Sequence, residues 1–420
     1  MVSRSSPPIN FNVAIHKIVR EEWGYLLSSL IKSLGDLHLA EDVLQDAVEA
    51  AIIHWRNHGL PNSPNGWLLT TAKRKAIDRF RRDNNFKNKQ QDYTHLMQDD
   101  YEQKEHDYDI PDERLRLIFT CCHPALDPKV SVALTLQLLG GLTTLEIARA
   151  FFVKKEAMAQ RLVRGKRKIK QAAIPYIIPE KVVFPERLDA VLKVLYLIFN
   201  EGYSASSGHK HIRIELCREA IRLAHILNHL CPNQPEIMAL LALMLLHDSR
   251  ANARFGKKGE LVPLEEQDRA QWNRTQIEEG RLLVEAALKK GPIGTYQIQA
   301  AISAVHAEAE NYHETNWQEI ILLYDELYKI SPSPVVKLNR LAAFSYVGDV
   351  EVALVSLKKL EIEFRCYQPY YATRADFYRR LGDIDGAKRN YQKAIELSGN
   401  KMEKDFLMRR LSIINSLQDR

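Results

Sequence analysis

Apolar positions recur at three- and four-residue steps along most of the chain, the period of helices that bury one face. Residues 11–34 are predicted as a first helix, stopped by Gly35-Asp36. A second is predicted over 38–56, with Val43, Leu44, Ala47 and Ala51 on one side. Asp42, Gln45, Asp46 and Glu49 recur at i, i+3, i+4 and i+7 and form an acidic face. Turn residues mark His58–Gly66 as a loop. A third helix follows from about Trp67 to Arg82: Leu69, Ala72, Ala76 and Phe80 can face a core, while Lys75, Arg79 and Arg82 share another face flanked by Lys73, Arg74 and Arg81. Residues 84–111 carry little apolar periodicity and read as a flexible linker.

Helical pattern resumes near Pro111, with a helix from Arg114 to Cys122. Asp127 followed by Pro128 reads as an N-cap with proline at the first helical position, opening a helix that Gly140-Gly141 ends. Thr143-x-x-Glu146 is a capping-box pattern, behind which Ile147, Ala148 and Phe151 pack. A short turn at Phe152-Val153 leads to a basic helix over 155–170, with Arg161, Arg164 and Lys168 on one face and Met158, Leu162 and Ile169 on the other. One side that packs and one that meets phosphates and base edges is what a recognition helix needs. The bland alternative is a basic surface helix.

From about residue 185 a period near 34 residues emerges. Gly348…Ala353…Leu357…Leu360 is repeated as Gly382…Ala387…Tyr391…Ala394, and Ala220…Ala224…Leu227…Pro232 has matching internal spacing. A looser copy is Ile320…Tyr324…Leu327…Pro332. A helix–turn–helix unit of this length is the signature of tetratricopeptide-type repeats, which stack into a superhelix with a concave surface. The long polar stretch 247–275 interrupts the pattern and reads as a functional loop or docking element. The fold class is therefore all-α.

Net charge is only +6 over 420 residues, but its distribution is uneven. Residues 71–90 carry eight Lys/Arg against two Asp, residues 149–170 nine against one Glu, and residues 92–113 nine Asp/Glu against one Lys. Two basic helices joined by an acidic tether suggest two DNA-binding modules. A tether of 20 to 25 residues reaches at most roughly 70–80 Å, about two turns of B-DNA at ~34–36 Å each. Five cysteines without framework spacing fit a reducing compartment. The polar start MVSRSSPPIN does not read as a signal peptide, and no apolar run approaches a membrane span. The chain is thus expected in the cytoplasm, with no membrane partner.

Enzymatic signatures are not found: no Walker loop, GxGxxG, HExxH or nucleophile elbow is present. Cys121-Cys122-His123 lacks usual zinc spacing, and core packing is preferred there. His209-Lys210-His211 reads as a loop rather than a metal site. No catalytic residue, metal or cofactor is expected.

Ala40-Glu41-Asp42-Val43-Leu44-Gln45-Asp46-Ala47 resembles the polymerase-binding helix of the sigma-70 family, except that Ala47-Val48 stands where an aromatic is usual. Trp67–Arg82 resembles the helix that meets the −10 element, and Pro111–Lys170 the domain that meets the −35 element. Their order resembles the group IV, extracytoplasmic-function (ECF) sigma factors. Phe119-Thr120-Cys121-Cys122-His123-Pro124 and Leu243-Met244-Leu245-Leu246-His247-Asp248-Ser249-Arg250 resemble a subgroup with a tetratricopeptide-like (TPR) extension. The resemblance implies a region-2-like domain over 11–83, an acidic linker over 84–111, a region-4-like helix-turn-helix domain over 112–175 and a repeat extension over 185–420.

It also implies roles. Asp42, Gln45, Asp46 and Glu49 would dock on core RNA polymerase, on the β′ clamp helices, with the β subunit also a partner. Asn57, His58, Asn62, Ser63 and Asn65 would hold a flipped −10 base, which needs a pocket that replaces stacking and bonds a base edge. Lys73, Lys75, Arg79 and Arg82 would carry −10 phosphates. Trp67 is either a wedge at melted DNA or a core anchor, the core being preferred. Thr143, Thr144, Ala157, Gln160, Arg161, Arg164, Lys166 and Lys168 would serve the −35 element, with Arg164 suited to a G edge and Gln160 to an A edge. The acidic linker would thread toward the RNA exit path. The expected function is a transcription initiation factor that binds core polymerase, recognises both promoter elements, promotes melting and is modulated by its repeats through a protein or ligand. The competing reading is a stand-alone helix-turn-helix regulator with a repeat-type sensor. A repeat scaffold with incidental basic helices explains neither the capping box nor the charge clusters.

Overall fold

The computed structural model describes residues 11–82, 110–151, 153–203, 210–256, 259–399 and 401–418. The described residues are helical throughout, linked by turns and by a single isolated bridge between Phe255 and Leu261. They fall into two compact units, 1–198 and 199–420. The acidic linker expected at 84–111 lies almost wholly outside the described residues, as does His209, whereas Lys210 and His211, expected in a loop, open a helix.

The first unit begins with α1 (Phe11–Leu34), α2 (Leu37–His58) and α3 (Pro64–Arg82). Asp36 caps α2, its carboxylate accepting from the amides of His38 and Leu39. The stripe Ala40, Val43, Leu44, Ala47, Ala51 and Trp55 is buried, against Leu26, Leu27 and Leu30 of α1 and Leu68, Ala72 and Ala76 of α3 in the same core. Helix α3 starts three residues before the expected Trp67, because Pro64 supplies the first helical φ and Ser63 accepts from the Gly66 amide.

Helices α4 (Ile110–Cys121), α5 (Pro128–Leu138), α6 (Thr144–Ala150) and α7 (Lys155–Gln171) follow. Asp127 caps α5 through the Lys129 amide, with Pro128 at its start, as expected. Gly141 turns the chain at φ +65°; a Cβ there would lie 2.9 Å from Trp23 Cβ, so the close approach requires glycine. The Thr143–Glu146 capping box forms in both directions, at 2.7 and 3.2 Å. Helix α7 seats Gly165 on Val130 and Leu134 of α5. Cys121 and Cys122 are buried thiols in this core, Cys122 pushed up to about 12 by burial, and the His123 ring accepts from the Ala125 amide. Both thiols are core residues, the arrangement that their adjacent spacing favours over a metal site.

The second unit continues from the end of α8 (Phe184–Tyr203) through α9 (Lys210–Leu230), α10 (Pro235–Asp248), α11 (Arg274–Leu288), α12 (Thr295–Glu308), α13 (Trp317–Ile330), α14 (Pro334–Phe344), α15 (Val350–Lys358), α16 (Gln368–Arg380), α17 (Ile384–Leu397) and α18 (Lys401–Gln418). Helix α10 is buried from Ala239 to Leu246, as expected for a helix apolar all round. The repeat residues Ala353, Leu357, Ala387, Tyr391 and Ala394 are buried in one cluster, small side chains letting neighbouring helices approach. The polar interruption sits between α10 and α11 as turns and short 3-10 helices. The motif at the end of α10 holds it: Asp248 accepts from Gln276, the Ser249 carbonyl accepts from the Asn273 amide, and Arg250 donates to the Tyr203 hydroxyl at 2.7 Å.

Candidate polymerase and nucleic-acid interface

The acidic face is present on α2. Asp42, Gln45 and Glu49 are exposed and Asp46 is half-buried. The surface is partly occupied from within: Arg79 of α3 donates to Asp42 at 3.1 Å and to Asp46 at 2.7 Å. Arg79 was expected on phosphates; in this structure it clamps two carboxylates. The cause is the packing of α3 on α2, which sets residue 79 beside residues 42 and 46. Exposed pairs of this kind contribute at most about 1 kcal/mol, so a stronger partner can displace the arginine.

Of the polar residues expected in a loop, Asn57 and His58 end α2, Asn62 and Ser63 lie between the helices, and Asn65 is in the first turn of α3. Asn57, His58, Asn62 and Ser63 are exposed, and Asn65 is half-buried. The Ser63 hydroxyl accepts from the Gly66 amide and His58 Nδ1 donates to the His54 carbonyl at 3.0 Å, so two of the five groups have local partners. Lys73 and Lys75 are half-buried along α3 and Arg74 is exposed. The side chain of Arg82 lies outside the described residues. Trp67 joins both alternatives. One edge meets the buried Trp55 at 5.4 Å, and a face stacks on exposed His54 at 5.4 Å, with His58 stacked on His54 at 4.3 Å. His54 was not singled out in the sequence; its i, i+4 relation to His58 was the available signal.

On α7, Ala157, Gln160, Arg164 and Lys168 are exposed and Arg161 is half-buried. They lie opposite a buried stripe of Met158, Leu162, Gly165, Lys166 and Ile169. Lys166 therefore departs from expectation: it belongs to the packing face, and its Nζ lies 2.5 Å from Glu41 of α2, both residues buried. A residue 125 positions away leaves no trace in local periodicity. Thr143 is exposed, but its hydroxyl donates to Glu146 at 2.8 Å within the cap, and Thr144 is half-buried beside it.

Residues 19–86 match the family described as Sigma-70 region 2, which places the acidic helix, the polar loop and the basic helix within one family match. Residues 368–401 match a tetratricopeptide repeat, the α16–α17 pair. Residues 187–288 match a family of unknown function, DUF6596, which spans the α10 motif. An uncharacterized protein of Rhizobium meliloti (strain 1021) is 39% identical over 389 residues, 92% of this chain and 92% of that one. The region 2 and repeat matches together support a sigma-70-family protein with a tetratricopeptide extension. A sigma-factor-like role in transcription follows, with core RNA polymerase and promoter DNA as the partners that region 2 implies. No helix among the described residues is long and apolar enough to cross a membrane.

Proposed function

We propose that this protein is an ECF-type initiation factor. Its α2 face docks on the β′ clamp of core RNA polymerase, the loop after α2 and helix α3 engage a melted −10 element, and α7 reads the −35 element as the second helix of a helix-turn-helix. The observation that carries the reading is the Sigma-70 region 2 match over 19–86, which contains both the acidic face and the basic helix. The exposed Gln160–Arg164 side of α7, set behind a capped helix, supports the −35 assignment. Such a factor does no covalent chemistry: binding energy holds promoter DNA bent and melted in the polymerase cleft. The setting is the cytoplasm, and the β subunit also contacts the bound factor.

The repeats modulate that activity by taking a protein or ligand. A cleft of about 310 Å³ within the second unit supports this, with Tyr312, Tyr346, Phe377 and Tyr391 on its wall and Arg410 and Glu265 at its edge. Arg410 ties α18 to Glu265 and Glu266 of the polar interruption at 2.7 and 2.8 Å, so this segment forms part of the cleft lining.

Glu49→Arg is the informative test of docking, because Glu49 is exposed and the substitution leaves Arg79 its two carboxylates. Core polymerase affinity falls at least about tenfold, the effect of ~1.4 kcal/mol, with an unchanged melting temperature. Unchanged affinity counts against the face. Duplex DNA binding by the chain with no polymerase association at all favours the stand-alone regulator.

A further inference from the structure

In the second unit the polar interruption runs along one side of the helix stack. The cleft of about 310 Å³ is walled by Tyr346 after α14, Phe377 of α16, Tyr391 of α17 and Phe406 of α18, and residues 263–265 close it. These closing residues differ from the rest of the wall. None of Leu264, Glu265 and Glu266 is buried, whereas Ala253 before them and Arg269 and Trp272 after them are. Arg269 anchors the far end, donating to the His306 carbonyl of α12 at 2.6 Å. Pro263, between the anchors, is extended at φ −66° and ψ 156°. Helix α18 holds the segment across the groove: Arg409 donates to the Leu261 carbonyl at 3.1 Å, and Arg410 to the Glu265 and Glu266 carboxylates. Both guanidinium groups also lie over the Phe406 ring, at 5.9 and 5.4 Å, which positions them independently of that segment. The other carboxylate on the wall, Asp376, is held by Arg379 at 2.6 Å. Among the described residues Arg410 has no carboxylate partner besides Glu265 and Glu266.

We propose that this groove takes an acidic segment of a partner protein, with an apolar side chain followed by two adjacent carboxylates, and that residues 261–267 are its internal stand-in. The inference rests on the modulatory role proposed above for the repeats and names the partner's chemistry. Stacked helix pairs present an extended concave surface suited to a linear segment. The partner's apolar side chain takes the place of Leu264 beside Tyr346, Phe377 and Phe406. Its carboxylates take the places of Glu265 and Glu266 on Arg410, and a backbone carbonyl takes that of Leu261 on Arg409. The contacts given up are partly exposed ion pairs, which contribute little in water, and the buried anchors at Ala253 and Arg269 stay in place. A competitor tethered on the same chain also sharpens selection. Its high effective concentration excludes segments that supply only the charge or only the apolar side chain.

The test uses the full chain and a fluorescein-labelled peptide copying residues 261–267, followed by fluorescence anisotropy. Wild-type chain binds the peptide weakly, because the internal segment fills the groove. The double variant Glu265→Gln with Glu266→Gln releases that segment and tightens peptide binding about tenfold, the factor expected when the wild-type groove is open about one time in ten. Adding Arg410→Ala to the double variant abolishes the gain, and a peptide with both glutamates replaced by glutamine loses it as well. Should the double variant unfold by circular dichroism, Leu264→Ser frees the segment from the aromatic side and serves in its place. Equal binding by wild type and a folded, released variant overturns the stand-in. Equal binding of the acidic and neutral peptides overturns carboxylate recognition. Peptide binding that follows the expected pattern while leaving transcription by core polymerase unchanged sustains the groove and overturns the modulatory role instead.

Discussion

Arg164 and Lys75 are both cationic, yet they sit on different surfaces of their helices. Arg164 is exposed on the outer side of α7, where a planar guanidinium can meet a base edge, whereas Lys75 is half-buried along α3 and offers a point charge. Arg164→Ala is therefore expected to weaken transcription unequally across −35 variants, by about 1–3 kcal/mol at the base it reads. Lys75→Ala weakens all promoters alike and lowers the salt slope of binding by about one. A panel of single-base promoter variants assayed at several salt concentrations separates the two. Side-chain exposure that follows from helical phase was legible in the sequence: the Asp42–Glu49 face and the Gln160–Arg164 side both emerge at the surface. The pairings of Arg79 with Asp42 and Asp46 and of Lys166 with Glu41 were not, because each depends on how two helices distant in sequence come together.

At the scale of single helices, α6 depends on its start. It is seven residues long, below the length that propensity alone stabilises, so the reciprocal Thr143–Glu146 cap and its buried Ile147 and Ala148 hold it. Thr143→Ala is expected to lower unfolding free energy by about 1 kcal/mol. Chemical denaturation reads this directly, and −35 recognition falls with it, since α6 supports α7. No change in stability would mean that the cap adds nothing to packing. Caps and turn residues were the most legible features, because their chemistry is local: Asp127-Pro128 and Thr143-x-x-Glu146 appear where the sequence placed them. The start of α3 was not placed correctly, since Ser63-Pro64 was read as turn chemistry when it also opens a helix.

At the scale of the whole chain, the second unit carries a pH dependence. His247 is held well below its ordinary pKa, by burial first and then by Arg250, Arg254 and His306. His306 is lowered to about 4, again by burial, with Arg250 and Arg269 adding to it. Both rings are neutral in the folded state and take protons on unfolding. The stability they confer is complete above the ordinary histidine range, about pH 6.5, and is lost as pH falls below it, at up to ~1.4 kcal/mol per pH unit for each ring; for His306 the loss runs down to about pH 4. Thermal melts from pH 7 to 4.5 should show the second unit destabilised on the acid side, and Ser303→Ala, which removes the partner of His247 Nε2, should lower the whole curve. A flat profile would contradict the neutral-ring arrangement. Removal of the chain after Tyr203 keeps Arg187 on the Phe119 carbonyl and so preserves the first unit's edge. Transcription altered by that truncation identifies the repeats as regulatory, and unaltered transcription makes them accessory. The repeat period was legible because small residues must recur wherever helices stack, but the hold of Arg250 and Asp248 on the polar interruption was not, for its partners lie in other helices.

The most direct test is reconstitution. Purified full-length chain is mixed with core RNA polymerase, followed through size exclusion, and supplied with the DNA upstream of its own coding region. Co-elution together with a discrete transcript absent from core polymerase alone is the predicted result. A chain that elutes apart from polymerase and yields no transcript, while still shifting the duplex, would contradict an initiation factor and leave α2 a solvated acidic face.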